Sequence, residues 1–197
     1  MSKKNIIVLN HKDCLSKSKQ ISNLYQDFKK KILKLRSKNF LVAVSGGPDS
    51  LALSAMCKIF QLNNKNKKFY YVHVNHNIRK NSLKEARLVT KILAKQGISL
   101  RVVTNQKKIT KNIQHNARKT RYSLLSQECK KRKTKLILTA HHKDDQIETF
   151  LIRLSRGSGV QGLSAMNISS YLEKKIRVFR PFLTISKKEL VHASNKI

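Results

Sequence analysis

Acidic residues are scarce in this chain. Its 197 residues include 10 Asp and Glu against 43 Lys and Arg, which gives a formal net charge of +33. Such an excess attracts polyanions, so we expect a nucleic acid as partner. Two alternatives stay open. Codon drift in an AT-rich genome explains part of the lysine excess, and a membrane surface is also a polyanion. Drift leaves the shortage of acids unexplained.

Cysteine is also sparse. Cys14, Cys57 and Cys129 lie far apart and form no C-x-x-C pair. No disulfide framework or metal motif is indicated, and we expect a reducing, cytoplasmic location. No apolar run approaches the roughly 18 residues of a membrane span, and the N-terminus lacks an apolar signal core. The sequence therefore predicts no membrane span, and a membrane is not among the partners that we expect.

The most informative stretch runs from Phe40 to Ala55, FLVAVSGGPDSLALSA. Its apolar start predicts a buried strand, SGGPDS a tight loop, and the following residues a helix. Gly46 and Gly47 allow a close approach to the backbone, and Pro48 suits the first helical position. The free N–H groups of that helix start, with the hydroxyls of Ser45 and Ser50, predict a phosphate or pyrophosphate site. The alternative is a plain glycine turn.

Strands and helices alternate along the rest of the chain, which predicts one α/β domain with a parallel five-stranded sheet flanked by helices. The predicted strands are Phe40–Val44, Phe69–Val74, Ile98–Val103, Leu136–Ala140 and Ile176–Phe179. We expect residues 39–197 to form this catalytic domain and residues 1–38 a basic extension with an amphipathic helix. Ser82 and Ser186 are the predicted caps of two helices.

Two further stretches carry candidate ligand-binding side chains. Arg118 and Arg121, three residues apart on a predicted helix, would face a phosphate site or solvent. Asp144, Asp145 and Glu148 follow the fourth strand and could hold Mg²⁺ or an ammonium group, although capping explains one or two of them. The buried stripe predicted for their helix is Ile147, Phe150, Leu151 and Leu154. His73 and His76 are poor zinc candidates because no third ligand stands at metal-site spacing.

These motifs resemble a known family. SGGPDS resembles the pyrophosphate loop of the ATP pyrophosphatase (PP-loop) superfamily. Together with HVNHNIR, NARKTRY, LTAHHKDDQIETFLIRLSRGSGVQGL and RPFL, it resembles the N-terminal catalytic domain of the tRNA(Ile)-lysidine synthases. The resemblance implies a Rossmann-like adenine nucleotide α-hydrolase fold. It also implies a C–N bond-forming ligase that adenylates C2 of the wobble cytidine in a CAU anticodon and then joins lysine there through its ε-amine.

The resemblance also implies roles for particular residues. The residues that would bind ATP are Ser45, Gly46, Gly47, Pro48, Asp49 and Ser50. Asp49 would help to hold Mg²⁺, and Arg121 would support ATP or the adenylated intermediate. Asp145 and Glu148 would receive the lysine ammonium group or a metal. The expected partners are tRNA(Ile) with a CAU anticodon, L-lysine and ATP, and a homodimer is left open.

The chain departs from the family after Leu190, where the family's further motif and tRNA-gripping helical regions are not seen. We therefore expect a catalytic core, a truncated product or one part of a split system. A tRNA thiolase of the same superfamily is the nearest rival, but it would need paired cysteines. A non-catalytic RNA- or nucleotide-binding remnant is the other alternative, and the retained acids weigh against it.

Overall fold

The computed structural model describes residues 18–107, 109–157, 159, 164–173 and 175–196. Within them the helices are α1 (Lys19–Leu33), α2 (Pro48–Asn63), α3 (Ser82–Lys95), α4 (Ile113–Lys131), α5 (Lys143–Ser155) and α6 (Lys187–Lys196). The strands are β1 (Asn39–Val44), β2 (Lys68–Asn75), β3 (Leu100–Thr104), β4 (Leu136–Leu138), β5 (Ser169–Leu172) and β6 (Ile176–Phe179). No helix in these ranges is long and apolar enough to cross a membrane.

The strands form one sheet in the order β3-β2-β1-β4-β6-β5. The five strands predicted from the sequence are parallel neighbours, and β5 adds a sixth strand that pairs antiparallel with β6. The prediction of a parallel α/β sheet is confirmed, and its count of five strands is one too low. The short segment Ser169-Ser170-Tyr171-Leu172 lacks the β-branched apolar run by which the others were predicted.

Both faces of the sheet are buried. Alternate residues of β1 point to opposite faces: Phe40, Val42 and Val44 lie in the larger core cluster and Leu41 in the smaller one. The larger cluster includes residues of α1, α2, α3 and α6, whereas α4 contributes Leu125 and Cys129 to the smaller one. Burial on both faces explains why the central strand is a nearly continuous apolar run.

Helix α1 belongs to the larger core. All six apolar positions predicted for its stripe are buried: Ile21, Leu24, Tyr25, Phe28, Ile32 and Leu35. The Phe28 ring centroid lies 6.4 Å from that of Phe60 and 5.9 Å from that of Phe182. The amphipathic helix is thereby confirmed, and it shares its core with the sheet. The domain boundary at residue 39 stays a prediction.

The stripe predicted for α5 is wrong. Ile147, Phe150, Leu151 and Leu154 are each at least 41% exposed, and α5 has no buried residue. Polar contacts hold the helix instead: the Lys143 N–H donates to the carbonyl of Ile185 (2.8 Å), and the side chain of Gln146 exchanges two hydrogen bonds with the backbone of Met166. The apolar spacing is helical, but no described element covers that face.

The two predicted caps have different outcomes. Ser186 precedes α6 and pairs with Glu189: its N–H and its hydroxyl both donate to Glu189 Oε2, at 3.0 and 2.6 Å. The Glu189 N–H donates back to Ser186 Oγ at 3.4 Å, so the two residues form a capping box and the predicted Ser186 cap is confirmed. Ser82, however, is the first residue of α3, and the N-cap is Asn81. The prediction for Ser82 is wrong because the helix begins at Ser82 itself, one residue earlier than a Ser82 cap would require.

Candidate active site

A cavity of about 480 Å³ opens at the carboxyl ends of β1, β2 and β4. Its walls come from the loop after β1, the end of β2, the start of α3, one face of α4 and the start of α5. Ligands bind outside the carboxyl ends of the strands in open parallel sheets. The cavity is therefore where the topology of this sheet places a ligand.

The loop between β1 and α2 is organised by Ser50. The Ser50 Oγ accepts hydrogen bonds from the Gly46 N–H (3.0 Å) and the Ser45 hydroxyl (3.1 Å), and it donates to the carbonyl of Gly47 (2.9 Å). Ser50 is buried, and its hydroxyl proton is used in the bond to the Gly47 carbonyl. Ser45, Asp49 and Ser50 line the cavity, whereas the other three loop residues are not among its lining residues.

Glycine is required at position 46. Its φ of +98° is disfavoured for residues with a side chain, and an added Cβ would lie 2.6 Å from Val89 Cγ2. Gly47 is the N-cap of α2 and Pro48 its first residue, with no side-chain cap. The first N–H groups of α2 thus have no intrahelical partner and stay available to an anion.

Asp49 presents a carboxylate to the cavity from the first turn of α2. Its Oδ1 is buried without a hydrogen-bond partner, and its Oδ2 lies 3.6 Å from His142 Nε2. No group of three or more His, Cys, Asp or Glu in the described ranges has the arrangement of a metal site. Protein-bound Mg²⁺ is often held by one or two carboxylates together with substrate phosphates, and an unpartnered Asp49 oxygen fits that mode.

The three acids at the start of α5 have separate surroundings. Asp145 lines the cavity, and its Oδ2 accepts the His142 N–H at 2.8 Å. Asp144 is exposed, and its Oδ2 accepts the Lys187 N–H at 2.7 Å, which lowers the pKa of Asp144. Glu148 is exposed, does not line the cavity and has no partner among the described residues. The carboxylate of Asp144 is therefore engaged by the first residue of α6, and of the three acids only Asp145 lines the cavity.

The two arginines of α4 are also separated. Arg121 lines the cavity, whereas Arg118 does not and lies over the ring of Tyr122, 5.3 Å from its centroid. A third arginine, Arg180 of the RPFL motif, is 5% exposed. It donates to the carbonyl of Asn167 (2.9 Å) and to Ser170 Oγ (3.0 Å), which ties β5 to the end of β6.

A model of the PP-loop domain family matches residues 16–196. The chain belongs to the PP-loop domain family. Among curated relatives, the tRNA(Ile)-lysidine synthase of Wolbachia pipientis wMel is 46% identical over 76% of this chain and 35% of its own length. That of Orientia tsutsugamushi is 42% identical over 76% of this chain and 33% of its own. This PP-loop domain thus spans about a third of the relatives it matches.

Solved structures show the same fold. A U34-tRNA thiolase, NcsA from Methanococcus maripaludis with its 4Fe–4S cluster, matches 90% of this chain and 63% of its own with a TM-score of 0.75 at 17% identity. An NH3-dependent NAD synthetase from Campylobacter jejuni matches 90% of this chain and 71% of its own with a TM-score of 0.54 at 16% identity. The predicted PP-loop fold is confirmed by these neighbours and by the family match.

The described cysteines of this PP-loop domain are not paired. Cys57 lies in the larger core cluster and Cys129 in the smaller one, on opposite faces of the sheet. Both thiols are buried, and burial raises the pKa of each, to about 12 for Cys129. Cys14 lies outside the described residues. Neither described thiol can reach the other or the cavity.

The histidines around the cavity are the functional candidates that sequence reasoning left without a role. Burial, followed by the nearby charge of Arg180, lowers the pKa of His141 to about 4. His73 Nδ1 lies 2.9 Å from the carbonyl oxygen of Val44, and both ring nitrogens of His76 are buried without partners. His142 lies among carboxylates. The only sequence signal was their position at the carboxyl end of β2 or shortly after β4.

Proposed function

We propose that this PP-loop domain carries the catalytic site of a tRNA(Ile)-lysidine synthase. ATP would adenylate C2 of the wobble cytidine in the CAU anticodon of tRNA(Ile), and L-lysine would then replace AMP. The observation that carries the proposal is one cavity in which the loop residues Ser45 and Asp49, the cationic Arg121 and the carboxylate of Asp145 all present side chains. The names of the relatives point to the same substrates.

The first step needs stabilisation of the leaving group. The cytosine O2 attacks the α-phosphorus of ATP, and the bond to the pyrophosphate breaks. The free N–H groups at the start of α2 and the guanidinium of Arg121 would hold the phosphates and take up the charge that develops on the pyrophosphate. Gly46 and Gly47 let the phosphates approach the backbone, and the bond from Ser50 to Gly47 keeps the loop in shape. Mg²⁺, held by Asp49 and the phosphates, would neutralise part of their charge.

The second step needs a positioned amine. The lysine ε-ammonium group first gives one proton to solvent, and the free amine then attacks C2. The C2–O bond breaks, AMP leaves with that oxygen, and the nitrogen gives a second proton to solvent. Asp145 would receive the lysine ammonium group in the cavity, because its Oδ2 accepts the His142 N–H and its Oδ1 is not engaged in that bond. Glu148, three residues further along α5, is exposed and does not line the cavity, and it would contact lysine or RNA from outside it. The net charge of +33 would favour contact with tRNA.

The test measures two reactions of the purified chain. We expect labelled pyrophosphate to exchange into ATP only with a tRNA(Ile) transcript that has a CAU anticodon, and labelled lysine to enter that transcript. A tRNA(Met) transcript with the same anticodon is the matched RNA control. Exchange without dependence on tRNA(Ile), or no exchange, would overturn the proposal.

The role of Asp145 has its own test. We expect Asp145→Asn to raise the KM for lysine by at least about tenfold, the effect of one charge-assisted contact, and to leave the KM for ATP within about twofold. Asp27→Asn is the matched control, because Asp27 is an acid of α1 that pairs with Lys31 away from the cavity. An equal loss for both substrates would reassign Asp145 to metal binding or folding.

A further inference from the structure

One buried imidazole lies between acids from two different elements. His142 is 6% exposed, at the N-cap of α5. Its Nε2 lies 3.6 Å from Oδ2 of Asp49, which belongs to α2. Its Nδ1 lies 3.6 Å from Oδ2 of both Asp144 and Asp145, which belong to α5. The ring therefore spans the gap between the phosphate loop and the acidic start of α5.

Backbone hydrogen bonds fix the position of His142. The His142 N–H donates to Asp145 Oδ2, and the next N–H, of Lys143, donates to the carbonyl of Ile185. The ring adds to this arrangement, because His142 and Asp145 form a capping box in which the His142 side chain faces the Asp145 N–H. Capping involves the side of the ring that carries Nδ1, so it does not account for the approach of Nε2 to Asp49.

Two carboxylates that face one cavity repel each other unless something lies between them. Asp49 and Asp145 both line the cavity, and His142 lies between them with one ring nitrogen toward each. Asp144 has a separate partner in the Lys187 N–H and does not line the cavity. The contacts to Asp49 and Asp145 are thus the ones through which His142 can act on bound ligands.

We propose that His142 is a positioning residue that sets the Asp49 carboxylate for the nucleotide through Nε2 and the Asp145 carboxylate for the amine substrate through Nδ1. The assignment of those two ligands rests on the proposed function. Because a single rigid ring serves both carboxylates, the two substrate sites are held in a fixed relation. The α-phosphate and the amine are then presented to the same cytosine base, at O2 and at C2 respectively, without a conformational search.

Two amide substitutions separate the contacts of the ring. In His142→Gln the longer side chain can return a donor nitrogen near the position of Nε2, whereas in His142→Asn the shorter one can return an acceptor oxygen near Nδ1. We expect His142→Gln to raise the KM for lysine about tenfold and to leave the KM for ATP within about twofold. His142→Asn should raise the KM for ATP about tenfold and leave the KM for lysine within about twofold. His142→Ala should raise both KM values. His192→Gln, on α6, is the control, since His192 does not line the cavity.

Thermal unfolding and direct binding complete the test. The unfolding midpoints of the Gln and Asn variants should agree within about 3 °C, the effect of about 1 kcal/mol in a domain of this size, so that folding cannot explain opposite KM changes. Equal losses for both substrates in both variants, or midpoints that fall in step with activity, would overturn the proposal.

Calorimetric titration with ATP and Mg²⁺ distinguishes this proposal from the proposed function. The wild-type chain could bind ATP and transfer no lysine, with ATP binding weakened by His142→Asn and not by His142→Gln. That result would overturn the proposed lysidine reaction and support the positioning role of His142. If lysine transfer is present and the two variants behave alike, the function stands and the positioning role fails. A wild-type chain that binds no ATP overturns both.

Discussion

Substituting Gly46 tests the backbone geometry on which the loop depends. At this position φ is +98°, and an added Cβ would meet Val89 Cγ2 at 2.6 Å. The neighbouring Gly47 offers a matched control: its φ is −73°, and an added Cβ would lie 3.8 Å from Ser45 Oγ, an ordinary contact. The two Ala variants therefore change the same loop by one methyl group each, and only Gly46→Ala meets an obstacle.

The cost of Gly46→Ala has two parts. The positive φ costs about 1–2 kcal/mol in a residue with a side chain, and pressing a methyl group into the buried Val89 costs about 1–3 kcal/mol. The sum is about 2–5 kcal/mol, which lowers the unfolding midpoint of a domain of this size by roughly 5–15 °C. Gly47→Ala should change the free energy of unfolding by less than about 1 kcal/mol.

Urea unfolding followed by circular dichroism measures both parts. In the background of Val89→Ala the obstructing methyl groups are gone, so Gly46→Ala should cost only the backbone part, about 1–2 kcal/mol. The coupling free energy of the double-mutant cycle isolates the contact. If Gly46→Ala and Gly47→Ala were equally stable, or the cycle showed no coupling, the stated reason for glycine at position 46 would be wrong.

Three further changes probe the packing and charge of the domain. Burial lowers the pKa of His141 from 6.5 to about 4, so the folded state disfavours protonation of this ring. The free energy of unfolding should therefore fall by about 3 kcal/mol between pH 6.5 and pH 4. Urea unfolding at each pH should show a smaller fall for His141→Asn. Phe28→Ala should cost about 3–5 kcal/mol, against less than about 1 kcal/mol for the half-exposed Leu33→Ala. Ser186→Ala should lower the free energy of unfolding by about 1 kcal/mol through loss of the capping box; no change in a urea titration would contradict it.

The parts of the fold that the sequence predicted are those determined by local pattern. The stripe of α1 was correct because its apolar residues pack into the larger core cluster, where Phe28 meets Phe60 of α2 and Phe182. The same reasoning failed for α5, where Ile147 and Leu154 have the helical spacing but no covering element in the described structure. Periodicity tells which side chains share a face, and it does not tell whether another element packs against that face.

The site was predictable in its elements and not in its contacts. The loop and the acidic helix both follow parallel strands, so their meeting at one edge follows from topology. The hydrogen bond from the Lys187 N–H to Asp144 joins positions 43 residues apart, and no pattern near Asp144 indicates it. Likewise, only the folded loop shows that the Ser50 hydroxyl donates its proton to the carbonyl of Gly47. Hydrogen bonds that appear only in the folded chain, whether local or non-local, therefore decide which members of a predicted cluster are left to bind a ligand.

The placement of acids indicates what kind of ligand the cavity suits. Asp49, Glu85 and Asp145 line it, in a chain with 10 acids and a net charge of +33. A surface that only attracts a polyanion would lose affinity from acids at its centre. Arg121 and the free N–H groups of α2 lie in the same cavity and favour anions. A cavity that combines both signs suits a reaction in which phosphates and an ammonium group must be held side by side, which is the charge pattern that ATP and lysine would bring.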